Sequence, residues 1–414
     1  MTSEICLMNR LSIVLAADSA TTVSYWNGME REERYFKGAN KIFQLSDFHP
    51  VGVMIYDAAD IMGVPWEVVI KGFRVSISDK SFNDVEGYAN EFVHYVDENY
   101  SFIPVDVRNK LFSEYIRQSI IHLISVPEGA SRDDRIAKAS ALHDLAKSAR
   151  YDGKSPFSEL EIKKISEKYK TSIIEKFLEI SKLIDFTYLG EADEYVDLIT
   201  FCALNKISQT GPQTGLVFAG FGDHSVFPEL VHLAECQFWD ERFVPGRVSK
   251  TGPDYETPAI VQGFAQTAMS DTFSLGFSAD IWSIFGDAVA EEASKLVARI
   301  EDALGCRLDE GKKADFLVSS HESIRHKVMA HALEKHAMPL QRVIGVLPVD
   351  EMGELAETLI NLQSLKEKVT KRSETVGGPV DVAAITKGEG LVWLKRKHYF
   401  DPSINSRYFD RRNR

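Results

Sequence analysis

Three residues near the start of this chain have the types and spacing for acyl-transfer chemistry: Thr2, Asp18 and Lys41. A small residue after the initiator Met permits removal of Met1. Thr2 would then carry both a hydroxyl and a free α-amine. An α-amine titrates near pH 7.7–8.0, so part of it is unprotonated at neutrality and can take the proton of its own hydroxyl. A nucleophile of this kind needs a nearby cation to favour the alkoxide. Lys41 is the candidate, and Asp18 the carboxylate that orients it.

The elements that must position them are strands. Ile5–Met8 and Leu11–Ala17 are short apolar runs broken by the polar pair Asn9-Arg10. A tight turn there brings Thr2 and Asp18 together at the open end of the pair. Lys41–Gln44 and Val51–Tyr56 read as two further strands, separated by the turn Asp47-Phe48-His49-Pro50. The period then changes, and Ala58–Phe73 and Asp84–Asn99 place apolar residues at helical spacing. From about 105 to 206 the chain reads as helix, with one break at Asp152–Pro156. Strand character returns at Gly215–Gly220 and Leu230–Cys236. Pro245–Pro258 is Gly/Pro-rich and reads as a loop. Asp280–Leu304 and Met352–Val369 read as amphipathic helices. The end reads as a hairpin, Val380–Thr386 and Leu391–Phe400 around Lys387-Gly388-Glu389-Gly390. Strands at both ends with helices between them predict an α+β protein whose two ends meet in one sheet system.

The same residues carry a family resemblance. The offset from Thr2 to Asp18, the run Ala16-Ala17-Asp18-Ser19-Ala20-Thr21-Thr22, and Lys37-Gly38-Ala39-Asn40-Lys41-Ile42 resemble the β-type subunits of the proteasome and the related bacterial heat-shock-operon protease. Met54-Ile55-Tyr56-Asp57-Ala58-Ala59-Asp60 resembles that family's M-A-G-G-A-A-D run. Ala219-Gly220-Phe221 with Pro228-Glu229-Leu230, and the stretch from Gly377-Gly378 to Thr386, resemble later family segments. The resemblance implies a four-layer αββα sandwich with helical insertions. The core would comprise 1–104, 206–270 and 351–414, with insertions at 105–205 and 271–350. It also implies a threonine-type peptidase or amidohydrolase with Thr2 as nucleophile, Lys41 tuning it and Asp18 orienting Lys41. Ser19 would give support and Thr22 pair with a substrate strand. Met54, Tyr56 and Ala58 would form the substrate and oxyanion region, with the oxyanion amide at the Tyr56 position. Tyr56 would either line a specificity pocket or plug it.

The chain departs from the family pattern at two supporting positions. Gly263-Phe264-Ala265 stands where the family has G-S-G, leaving Gln266, Thr267 or Ser270 as substitutes. Ser373-Glu374-Thr375-Val376 stands where the family has D-x-x-S. Phe264 and Tyr56 also suit a catalytically silent scaffold subunit, and a small-molecule amidase is a third reading.

Bulk composition narrows the function classes. A formal net charge of −13 disfavours nucleic-acid or anionic-membrane binding as the main role. The end runs against that balance, with seven Lys/Arg and only Asp401 and Asp410 between Lys395 and Arg414. That tail reads as a frayed terminus or as a site for an acidic partner or a neighbouring subunit. Cys6, Cys202, Cys236 and Cys306 form no C-x-x-C pair, and with no leader pattern at the start they fit a reducing cytoplasm. No apolar run is long enough to span a bilayer. His321, His326, His331 and His336 recur every five residues, which rotates them around a helix, so no zinc site is expected. No metal or organic cofactor is implied. The expected partners are a peptide or amide substrate and, by family resemblance, further copies of the chain. A partner ATPase is left unidentified.

Overall fold

The computed structural model describes residues 2–26, 31–125, 131–151, 157–182, 192–205, 213–239, 242–370 and 376–406. The first strands are β1 (Ser3–Asn9) and β2 (Ser12–Ala17), both buried along their whole length. The turn between them is made by Asn9, whose Oδ1 accepts from Leu11 N (2.9 Å) and Ser12 N (3.0 Å), a local bond that favours Asn at turns. A small hairpin follows, β3 (Ala20–Trp26) with β4 (Arg31–Lys37). Then come β5 (Ile42–Gln44) and β6 (Val51–Asp57), and a second small hairpin, β7 (Asp60–Ile61) with β8 (Val64–Pro65).

That second hairpin corrects the helix expected from Ala58. Met62 and Gly63 take left-handed backbone (φ 53° and 83°), and helix α1 (Trp66–Ile77) starts only after Pro65. Proline suits a helix entrance and disfavours a helical residue before it. Helix α2 (Val85–Glu98) is capped by Asp84, whose side chain accepts from Gly87 N. Helices α3 (Val105–Ile124), α4 (Arg132–Tyr151), α5 (Glu159–Ser181) and α6 (Val196–Leu204) pack on one another around a core of their own that includes Phe112, Ile116, Ile162, Ile173 and Phe201.

The chain returns to sheet with β9 (Thr214–Gly220), β10 (Glu229–Trp239), β11 (Arg242–Val244), β12 (Arg247–Thr251) and β13 (Ala259–Ala265). Strand β12 corrects the loop expected across 245–258: Arg247–Thr251 pairs antiparallel with Leu230–Ala234. Helices α7 (Ala268–Leu275), α8 (Ala279–Leu304), α9 (Glu310–Ala332), α10 (Met338–Ile344) and α11 (Val349–Thr370) follow. The last hairpin is β14 (Asp381–Thr386) with β15 (Gly390–Lys395). The closing strand therefore stops at Lys395 and not at Phe400. The expected break at 152–156, the residues 371–375 and the tail from 407 lie outside the described residues.

Two antiparallel sheets result. One has the order β13-β1-β2-β14-β15, the other β11-β10-β9-β6-β5 with β12 also on β10. Helices α1 and α2 cover one face of the second sheet through Trp66, Phe73 and Phe92 against Val53, Ile55 and Phe218. Helix α11 covers one face of the first, with Met352, Ala356, Leu359 and Ile360 against Ile5, Leu7, Val14 and Val382. A third cluster lies between the sheets and joins Cys6, Met8, Leu15 and Ala383 to Met54, Val217 and Leu230. Strands β1, β2 and β6 therefore have both faces in apolar contact, which is why they read as nearly continuous apolar runs and not as alternation. Each fully buried aliphatic side chain there contributes about 1.5–3 kcal/mol. Among the described residues, no helix is long and apolar enough to cross a membrane.

Candidate active site

The site is built at the end of the two sheets where β1 begins. Strand periodicity puts Thr2, Glu4, Cys6 and Met8 on the face of β1 that looks toward the other sheet. Ser3 N donates to Asp18 Oδ1 (3.1 Å), and Asp18 N donates to Ser3 O (3.2 Å), so the end of β2 clamps the start of β1. Asp18 is 1% exposed and its two oxygens are fully engaged. Oδ1 takes Ser3 N and the Lys41 ammonium. Oδ2 takes Ala20 N (3.2 Å) and Gly377 N (2.8 Å). A carboxylate with four donors is a fixed negative point, and Lys41 is aimed by it.

Lys41 enters from just before β5 and is 5% exposed. Its backbone carbonyl accepts from Ile55 N (2.8 Å), which ties it to β6. Its ammonium bridges two carboxylates: Asp18, and Glu4 Oε1 at 3.1 Å. Glu4 is 1% exposed, and its Oε2 accepts from the Thr2 hydroxyl at 3.1 Å. The structure thus brings Thr2, Asp18 and Lys41 together and adds Glu4 as the link between the hydroxyl and the ammonium. Burial pushes the Glu4 carboxyl up to about 7, with Lys41 acting in the opposite direction.

The backbone around Thr2 is also supported. Gln266 N donates to Thr2 O (3.1 Å), and Ser3 Oγ donates to Gln266 O (3.1 Å). Gln266, one of the three expected substitutes for a supporting hydroxyl, acts here through its main chain. Thr267 and Ser270 bond within their own turn: Thr267 Oγ1 to Asp271 Oδ2 (2.6 Å) and Ser270 Oγ to Thr267 O (2.8 Å).

The Asp57 amide faces the Thr2 oxygen, with its N 3.4 Å from Thr2 Oγ1. The expectation put this donor at Tyr56, one residue earlier. Asp57 ends β6 in the left-handed region (φ 64°), a conformation Asp tolerates better than most residues. The Tyr56 side chain packs between the sheets. Its hydroxyl lies 2.6 Å from His232 Nε2, and its ring stands 5.6 Å from the Phe264 ring. Burial raises the Tyr56 phenol above its ordinary value and holds the His232 imidazole down at about 4, with Arg247 adding to the latter. Tyr56, His232 and Phe264 therefore form a neutral, packed wall on the inner side of the site. Phe264 lies opposite Glu4 in the β1–β13 pair, where a smaller residue would leave the carboxylate less desolvated.

The remaining expected residues take other positions. Ser19 is fully buried, its Oγ donating to Pro379 O (2.5 Å) and its N to Gly377 O (3.2 Å), so it holds the loop before β14. Met54 is buried between the sheets. Ala58 contributes backbone, its N donating to Gln213 O (2.9 Å) and its O accepting from Thr214 Oγ1 (3.2 Å). Thr22 lies in β3 opposite Tyr35, and its side chain is outside the described residues. A separate cleft of about 670 Å³ lies between β5, α1 and β15, bordered by Lys37, Asn40, Arg74, Trp393 and Arg396. Among the described residues, no group of three or more His, Cys, Asp or Glu side chains is placed to hold a metal ion.

Glu4 is the residue that sequence reasoning missed. Its signal was available: an acid inside a strand apolar on both faces. The strand expected from Ile5 left it out.

No family model matches this chain, and no curated protein matches it. Among solved structures, it is similar to a Gly-1 mutant of Anbu from Hyphomicrobium sp. strain MC1, at 9% identity and a TM-score of 0.28, covering 100% of this chain and 95% of that one. It is also similar to Anbu, described as an ancestral beta-subunit, from Yersinia bercovieri, at 9% identity and a TM-score of 0.25, covering 99% of this chain and 94% of that one.

Proposed function

We propose that this chain is an amide-bond hydrolase of the N-terminal-nucleophile type, a threonine peptidase or amidohydrolase in which Thr2 Oγ attacks the scissile carbonyl after removal of Met1. One observation carries the reading. A buried, connected array of Thr2, Glu4, Lys41 and Asp18 stands at the end of a central strand, with the Asp57 amide facing the hydroxyl. Lys41 stabilises negative charge developing on Thr2 Oγ, and Asp18 holds the ammonium in place. The Asp57 N–H is the candidate donor to the oxyanion. A base must take the hydroxyl proton. Sequence reasoning supplies the α-amine, and the geometry adds the Glu4 carboxylate.

The packing of helices on the outer face of each sheet, with a third apolar cluster between the sheets, supports the four-layer αββα reading. In that reading α3–α6 and α7–α10 are additions to the core.

The test is the intact mass of the purified, untagged protein before and after incubation with a threonine-directed β-lactone or epoxyketone. The expected result is loss of the Met1 mass and one adduct on Thr2, absent from Thr2→Ala. The alternative, a silent scaffold, is favoured by one observation: Thr2 is only 4% exposed. Retained Met1 with no adduct would establish that alternative and refute the hydrolase.

A further inference from the structure

Glu4 is the buried ionisable group for which the Thr2–Lys41–Asp18 scheme has no use. Asp18 already orients Lys41 and neutralises its charge. A second carboxylate on the same ammonium adds desolvation cost without a structural need, because an apolar residue would fill the same space between Ala17 and Phe264. The placement of its two oxygens is asymmetric. The Lys41 ammonium lies 3.1 Å from Oε1 as an ion pair without hydrogen-bond geometry, whereas Oε2 accepts directly from Thr2 Oγ1 at 3.1 Å. That second distance lies within the range for direct proton transfer to a general base.

We infer that Glu4 is the proton acceptor for Thr2 Oγ, a catalytic residue of the hydrolysis proposed above, on which this inference rests. As Oγ bonds to the amide carbon, the Oγ proton passes to Glu4 Oε2 and the carbonyl π pair moves onto the carbonyl oxygen. The tetrahedral adduct collapses by breaking the C–N bond. Glu4 returns the same proton to the departing nitrogen, which leaves as a neutral amine. The departing nitrogen and Oγ share one carbon, so one carboxyl serves both. Water then attacks the Thr2 ester, giving a proton to Glu4 and its oxygen to the carbon. Glu4 restores the Oγ proton as the ester C–O bond breaks. Water is the only co-reactant. Lys41 takes no proton transfer in this scheme and stands between Glu4 and an Asp18 fully occupied by four donors.

The surroundings suit a group that must gain and lose a proton near neutrality. Lys41 favours the carboxylate; burial and Asp18 favour the acid, and the balance lies at about 7. From β6 the Tyr56 phenol and Asp57 face this region, and from β10 His232, which burial keeps neutral. The β13 strand presents only the Phe264 ring. On the helical side stand Gln266 and Gln363, with Glu367 beyond them. Arg247 acts on the Tyr56–His232 pair, and loss of Met1 creates an α-amine on Thr2.

The experiment is the rate of β-lactone acylation at Thr2, read by intact mass from pH 5 to pH 9, for the full-length wild type, Glu4→Gln and Glu4→Asp, with Thr2→Ala as blank. Wild type is expected to speed up through about pH 7 as Glu4 ionises. Glu4→Gln is expected to lose about 100-fold or more, together with that inflection. Should Glu4→Gln not fold, Glu4→Asp carries the test: a slower reaction with a displaced inflection is expected. An inflection that stays in place in either folded variant, at a rate within about 3-fold of wild type, assigns the proton to the α-amine and overturns the inference. Absence of an adduct from wild type at every pH refutes the Thr2 nucleophile itself, and this inference with it. An adduct in wild type that Glu4→Gln leaves unchanged refutes the inference alone.

Discussion

Replacing Asp18 by Asn tests whether this carboxylate is the mechanical centre of the site. The change keeps the shape and removes one acceptor oxygen. Each oxygen now faces two donors: Ser3 N and Lys41 on one side, Ala20 N and Gly377 N on the other. Whichever way the amide turns, its NH2 group points at two donors and leaves both unpaired in a buried place. An unsatisfied buried donor costs about 1–3 kcal/mol, and removing one partner of a buried ion pair costs about 3–5 kcal/mol. Lys41 keeps Glu4 as a partner, so the two costs overlap, and a net loss of about 3–5 kcal/mol is expected. An unfolding entropy of about 2.1 cal/mol/K per residue over 414 residues is about 0.9 kcal/mol/K, so the melting temperature should fall by about 3–6 °C. Differential scanning calorimetry of wild type and Asp18→Asn at pH 7 reads this directly. A variant melting within about 1 °C of wild type would show that the four bonds add little, and the view of Asp18 as a clamp would be wrong.

Further tests follow from the same region. The folded Glu4 carboxyl titrates above its unfolded value, at about 7 against 4.5, so its contribution to stability falls as pH rises through that window, by about 3 kcal/mol in all. His232 acts in the opposite sense. Its folded value of about 4 lies below the ordinary 6.5, so stability rises with pH between them. The two partly cancel in wild type. Urea titrations of Glu4→Gln from pH 4.5 to 7 should therefore reveal a rise in stability that wild type lacks, and parallel curves would contradict the buried acid. The His232 ring carbons should show no titration between pH 5 and 8 by NMR; a midpoint near 6.5 would mean the imidazole is solvated. A Cβ at Gly215 would sit 1.9 Å from two ring carbons of Tyr56, whose hydroxyl is held by His232. Gly215→Ala should cost about 1–3 kcal/mol or more in urea unfolding, and far less on a Tyr56→Ala background, where equal costs would place the clash elsewhere.

The sheet framework was legible because its inner strands are apolar on both faces, and runs such as Ser12–Ala17 and Thr214–Gly220 announce that without alternation. The break at Asn9-Arg10 was legible for a local reason, a polar pair between two apolar runs. What was hidden depends on partners distant in sequence. The β12 strand pairs on β10 although its residues are exposed and its neighbourhood is rich in Gly and Pro. The hairpin before α1 rests on left-handed backbone at Met62, which no apolar pattern records. At the site, the spacing of Thr2 and Asp18 could be read along one hairpin, whereas Lys41 follows the β3–β4 hairpin, which the apolar pattern did not announce. Glu4 was missed because the strand was expected to begin at Ile5, whereas β1 begins at Ser3 and sets Glu4 opposite Phe264.

The order of strands in the first sheet also sets a schedule for biosynthesis. Strand β2 is complete once residue 17 has been added, but its second partner, β14, begins at residue 381. At about 5–20 residues per second that partner arrives about 20–70 s later. Throughout that interval the segment Ser-Ile-Val-Leu-Ala-Ala has an open edge, and until residues 349–370 are made it also lacks its outer cover from α11, the combination that invites pairing with another nascent chain. Polysome density and chaperone occupancy would then shape the yield of this protein as strongly as the stability of its finished sheet, and slowing translation before residue 381 should increase the aggregated fraction.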